Sequence, residues 1–178
     1  MRDRADRRPS QPGRLVGRGA RRARAAARAL VSAIAGLPPT VFELLTSTAV
    51  TGVVATVDRD GRPHTAPFGS LWAASPDRLR FGCDRGHETF ENIRRDGRVA
   101  VSVITPPDVA VTLFGRASIL REAMETLPSD AVVEILVEDV KNDMLIGAAI
   151  DAGVSYSVPV QAHELIERYM LEIRQPTE

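Results

Sequence analysis

Three histidines, His64, His87 and His163, and one cysteine, Cys83, are the most reactive side chains in the sequence. Two imidazoles and nearby carboxylates could in principle meet as a metal site, but their spacing matches no ligand motif, so no metal is expected. Cys83 stands two residues before Arg85. That cation could activate a thiol, yet a small buried hydrophobe is the plainer reading of a lone cysteine at a strand end. The chain has no glycine-rich phosphate loop, no His-Glu-x-x-His and no Gly-x-Ser-x-Gly elbow. One group is suggestive: Arg85-Gly86-His87-Glu88-Thr89 joins a strand to a helix start. Free N–H groups, the helix dipole, the Thr89 hydroxyl and Arg85 together would favour an anion such as a phosphate. The plainer alternative is that His87 or Thr89 only caps the helix and Arg85 is solvated.

The elements around this group read as mainly β. Val41 to Ser47 is a short apolar helix, and Thr51 to Val57 is a β-branched strand. Asp58-Arg59-Asp60-Gly61 is a hairpin turn leading to a returning strand, Pro63 to Trp72. Pro63 and Pro67 make that strand an edge, or a strand with a bulge. Arg78 to Cys83 alternates polar and apolar residues as a half-buried strand does. His87 to Arg95 reads as a helix with Phe90 and Ile93 inward. Arg98 to Ile104 and Val109 to Leu120 are strands around the Thr105–Asp108 turn, with Val99, Val101 and Val103 in the core. Ala131 to Val140 reads as strand for its valines and isoleucine, although its charges would also suit a helix. Gln161 to Ile173 is an amphipathic helix. The fold class expected is α+β: a six-stranded antiparallel split β-barrel with a C-terminal helix.

The 178 residues, 44% of them hydrophobic, suffice for one core without disulfides or metals. The net charge of zero conceals a split. Residues 1–28 hold ten arginines against Asp3 and Asp6, a net +8, and the remaining 150 residues carry a net −8. Residues 1–40 read as a basic extension with a possible short helix over Ala29 to Leu37, and 41–178 as the domain. The extension has no aromatic residue for base stacking, so nucleic acid is not expected as a partner. Its outline as a signal peptide is crude, with Ser32 interrupting the apolar stretch. No run reaches the roughly 18 apolar residues of a membrane span, and the expected location is the cytoplasm.

The runs GVVATVDRDGRPHTAPFGSLW, RLRFGCDRGHETFENIRRDGRVAVSV and VAVTLFGRASILRE, in that order, resemble the pyridoxamine 5'-phosphate oxidase-like superfamily of flavin-binding split β-barrels. The resemblance is strongest over Phe42 to Glu122. It implies a homodimer with FMN at the subunit interface. His64, Thr65, Ala66, Pro67 and Phe68 would then line the flavin ring. Cys83, Arg85, His87 and Thr89 would approach the phosphate and ribityl chain, with Asn92 holding the turn and Arg85, with Arg94 or Arg95 as further candidates, supplying the countercharge. The sequence departs from authentic pyridoxamine 5'-phosphate oxidases. Ala66 and Leu71 stand where they carry an arginine and a lysine, and His87-Glu88-Thr89 replaces Ser-Arg-Lys. Their C-terminal tryptophan also has no counterpart, since Trp72 is the only one here.

The function expected is an FMN-dependent oxidoreductase acting on a small, partly apolar molecule, and no catalytic residue is named. A deazaflavin or haem is an alternative cofactor, and a flavin- or haem-binding carrier or sensor an alternative role. A barrel that binds nucleic acid through its arginine arm is a third class.

Overall fold

Asp58 folds the first hairpin. Its Oδ1 accepts from the N–H groups of Asp60 at 2.8 Å and Arg62 at 2.7 Å. Gly61 follows at φ +81°, a conformation that side-chain-bearing residues rarely adopt. The computed structural model describes residues 36–176. The basic extension and its possible helix fall almost wholly outside them. The strands are β1 Val50–Val57, β2 Pro63–Ser75, β3 Arg78–Asp84, β4 Arg98–Thr105, β5 Val109–Arg121 and β6 Asp130–Asn142. The helices are α1 Pro39–Ser47, α2 Glu88–Arg95 and α3 His163–Arg174, the last entered through a 3₁₀ turn at Val160–Ala162. All strand pairs are antiparallel and close a barrel in the order β1-β2-β3-β6-β5-β4. Among the described residues no helix is long and apolar enough to cross a membrane.

Alternation decides what fills the barrel. Val54 on β1, Val101 and Val103 on β4, and Leu113 on β5 point inward and are buried, with Val99, Phe90 and Ile93 beside them. Leu37 is buried as well, and its N–H donates to the Pro76 carbonyl at 2.5 Å. The charges of β6 have a structural cause. Glu134 faces Arg80 across the β3–β6 ladder, accepts from Arg80 Nε at 2.9 Å, and also accepts from Arg78 Nη1 at 2.7 Å.

The barrel is split on one side. β2 pairs with β1 from Pro63 to Leu71, but with β3 only from Trp72 to Ser75. Pro63 and Pro67 therefore lie where the other edge of β2 meets no strand, which is where a residue without an N–H does no harm. α3 packs against β2 and β3. Met170 and Ile173 are buried with Met124 and Val132. The Arg174 guanidinium stacks 4.1 Å from the Trp72 ring centroid.

Candidate functional site

The split opens a cleft of about 820 Å³ along β2, from the end of α1 to the turn between β3 and α2. Its floor includes Phe68, Ser70, Gly82, Asp84, Asp130 and Tyr169, and the segment around Tyr156 forms one rim. Polar groups in it are mutually bonded. The Gly82 N–H, left without a β2 partner, donates to Ser70 Oγ at 3.1 Å. Tyr169 Oη donates to Asp130 Oδ2 at 2.7 Å, and Ser129 Oγ donates to Asp130 Oδ1 at 2.9 Å. Burial, then the Asp130 hydrogen bond and charge, raise the Tyr169 phenol well above its ordinary value. Tyr169 is thus a fixed proton donor to Asp130 across the physiological range.

At one end of the cleft stand Phe68 and His87, with His64 and the buried Thr89 against His87. The His64 and His87 rings lie 6.0 Å apart edge to face, and Phe68 lies 6.0 Å from His87 and 4.7 Å from Phe81. His87 is the N-cap of α2, and its Nδ1 accepts the Thr89 N–H at 3.2 Å. The Thr89 hydroxyl is fully buried, 3.1 Å from His87 Nδ1 and 3.3 Å from His64 Nε2. His64 Nδ1 lies 3.5 Å from the Glu88 carboxylate. The order carboxylate, imidazole, hydroxyl has the sense of a hydrolytic triad, but a hydroxyl with no exposed surface cannot attack a substrate.

The other expected site residues separate. Pro67 lines the cleft, Thr65 faces outward on the exposed side of β2, and Ala66 points into the barrel at 5% exposure. Cys83 does not line the cleft. With Gly82 and Asp84 facing it, the period of two turns Cys83 into the core, where it is 1% exposed. Burial, then Asp130 and Asp84, push its thiol up to about 12. The folded protein is therefore expected to resist iodoacetamide at pH 8 and to be alkylated fully in denaturant, as mass spectrometry would record. Rapid labelling of the native protein would refute this placement.

Arg85 is a correction. It was expected to serve as countercharge, but its Nη2 donates to the Pro128 carbonyl at 2.8 Å and its Nε to the Ser129 carbonyl at 3.3 Å. The Pro128 and Ser129 carbonyls of the β5–β6 loop hold it there. Asn92 is another correction. It pins α2 to β1, donating from Nδ2 to Thr56 Oγ1 at 3.0 Å and accepting from Arg95 Nη1 at 3.1 Å. It is 2% exposed and does not hold the turn. That role falls to Asp84, whose carbonyl accepts the His87 N–H at 3.0 Å and whose Oδ1 accepts the Gly86 N–H at 2.6 Å. Asp84, Asp130, Ser70 and Tyr169 were not foreseen from sequence. The glycine inside the apolar run of β3 was the available signal, since a strand glycine marks a close approach.

The two ends of the cleft suit a phosphorylated flavin differently. The uncharged stretch of β2 that has no β3 partner fits a flat ring. The α2 start fits a phosphate poorly, because Ser129, Asp84 and His87 already accept the N–H groups of Arg85, Gly86, His87, Thr89 and Phe90, which leaves the Glu88 N–H as the one backbone donor there.

A family model described as pyridoxamine 5'-phosphate oxidase matches residues 37–164. Among solved structures, a candidate pyridoxamine 5'-phosphate oxidase of Lactobacillus delbrueckii is 26% identical at a TM-score of 0.53, covering 61% of this chain and 96% of that one. HupZ of Group A Streptococcus is 21% identical at a TM-score of 0.52, covering 64% of this chain and 98% of that one, a likeness of fold. No curated protein matches the sequence.

Proposed function

The chain belongs to the pyridoxamine 5'-phosphate oxidase family, and on that premise we propose that it is a flavin-dependent oxidoreductase acting on a small molecule as a homodimer in the cytoplasm. The observation that carries this reading is the split between β2 and β3, which leaves Pro67 and Phe68 on a stretch of β2 with no β3 partner, beside a cleft. A bound flavin would supply the transfer of hydride or electrons, and the protein its position and surroundings. Phe68, held against Phe81 and His87, gives an apolar contact for a ring. Ser70 and Asp130, already bonded within the fold, face the cleft as fixed polar groups.

Assembly is supported by the outer barrel face. In register across β2, β1, β4 and β5 run Pro67, Val53, Ser102 and Thr112, and beside them Thr65, Ala55, Ala100 and Phe114. These eight positions carry no charge, and Val53 is 42% and Phe114 39% exposed. A contiguous uncharged face of this kind is ordinarily covered. A second copy seated on it would bury on the order of 2,000 Å² in total and would bring its own surface to the β2 edge.

The test is an absorbance spectrum of purified protein before and after adding riboflavin or FMN, followed by addition of a nicotinamide donor. Saturable flavin binding and bleaching of the bound flavin are expected, with a dimer mass by light scattering. Failure of both flavins to bind would overturn the reading. Binding without reduction by any electron donor would leave a carrier, and a monomer mass at micromolar concentration would refute the assembly.

A further inference from the structure

We infer that the cleft selects an unphosphorylated flavin over FMN, with Asp84 and Glu88 as the specificity-determining residues. This rests on the flavin reading above and specifies its ligand.

A flavin phosphate carries between about one and a half and two negative charges at neutral pH. It needs several donors and a cation, and the end of the cleft where β3 meets α2 offers it only the Glu88 N–H and His87 Nε2. The N–H groups of Arg85, Gly86, His87, Thr89 and Phe90 already have acceptors, two of them on Asp84. The Thr89 hydroxyl is enclosed by two imidazoles. Among the described residues no lysine or arginine lines the cleft, whereas Asp84 and Asp130 do.

The nearby cations are held elsewhere. Arg85 is tied to Pro128 and Ser129. Arg95 is tied to Asn92 and the Val57 carbonyl. Arg94 lies over the Phe90 ring, 3.9 Å from Glu91. On the far side of Glu88, a second, polar pocket brings Arg59, Arg62 and Arg95 together with Asp58, Asp60, Glu88 and Glu91. Carboxylates outnumber guanidiniums there, and Arg62 is paired with Asp60 at 3.4 Å.

A ribityl hydroxyl suits these groups. It can donate to the Asp84 carboxylate, which lines the cleft. It can accept from His87 Nε2, which carries the ring proton in the neutral form because Nδ1 is an acceptor. A phosphate in the same place meets like charge, and like-charge juxtaposition is a standard means of excluding a ligand.

The experiment is fluorescence titration of the full chain with riboflavin and with FMN, at low and at physiological ionic strength. Riboflavin is expected to bind at least tenfold tighter at low salt, with the ratio narrowing as salt screens the exposed Glu88. Glu88→Lys should shift the ratio at least tenfold toward FMN, and Glu88→Gln should shift it less in the same direction. Because Glu88 is an exposed residue in the first turn of α2, both variants should fold, as circular dichroism would confirm. FMN binding within threefold of riboflavin, or tighter, overturns the inference while the flavin reading stands. An unchanged ratio in Glu88→Lys overturns the assignment to Glu88. If neither flavin binds, both fall.

Discussion

Gly82→Ala is expected to unseat α3 from the barrel and to lower stability by about 2–4 kcal/mol. For a chain of this size that corresponds to roughly 5–15 °C in melting temperature. A Cβ built on Gly82 overlaps Oη and Cζ of Tyr169 and lies 2.8 Å from Cε1. Neither side can yield cheaply. β3 is fixed by its β6 partner, Gly82 opposite Val132. The phenol is fixed by Asp130, and α3 by Arg80, whose Nη1 donates to the Gln175 carbonyl at 2.5 Å. The ring must swing out, break the Asp130 bond and intrude on the cleft, so flavin affinity should fall with stability. Tyr169→Leu should remove the clash at a cost of its own. A double-mutant cycle by chemical denaturation measures the pair. The alanine is expected to be far less harmful on the Tyr169→Leu background. Equal harm on both backgrounds would show that the Gly82–Tyr169 contact is not its cause.

The same contact marks the limit of what the sequence discloses. The hairpin at Asp58-Arg59-Asp60-Gly61, the α2 cap at His87 and the core faces of α2 and β4 are local. They follow from turn chemistry and from a period of two or 3.6, and they stand in the structure as expected. β6 was legible through its β-branched residues, and only the ladder explains Glu134, since its partners Arg78 and Arg80 lie more than fifty positions away. The cleft depends on such distant pairings throughout. Tyr169 reaches Asp130 across 39 positions, and Arg85 reaches Pro128 across 43. Arg85 misled for this reason. Proximity in sequence to the α2 start favoured a role there, whereas two loop carbonyls, invisible to any periodicity, had the stronger claim on its guanidinium.

Glu172 is the other residue whose loss should be large, and its effect should depend on pH. The carboxylate is 5% exposed. Its Oε1 accepts from Arg121 Nη1 at 2.8 Å and from the Glu125 N–H at 2.7 Å, and its Oε2 accepts the Thr126 N–H at 2.9 Å. One side chain thereby ties α3 to the end of β5 and to the loop that follows. Burial alone would raise its pKa, but the Thr126 and Glu125 donors and Arg121 outweigh burial, and the group sits below the ordinary glutamate value. Glu172→Ala leaves two N–H groups and a half-buried guanidinium without their acceptor, and should cost about 2–4 kcal/mol at pH 7. Glu172→Gln keeps an acceptor, loses the charge, and should cost less. A depressed folded-state pKa stabilises the protein fully above the unfolded value, near 4.3, and that contribution is lost as pH falls through the folded value. The gap between wild type and Glu172→Gln should therefore be constant from pH 6 to 8 and should close below about pH 4. Urea unfolding at pH 7 and pH 3.5 measures it. A gap that stays the same at both would mean that the charge of Glu172 contributes nothing and that its packing alone holds α3 over the cleft.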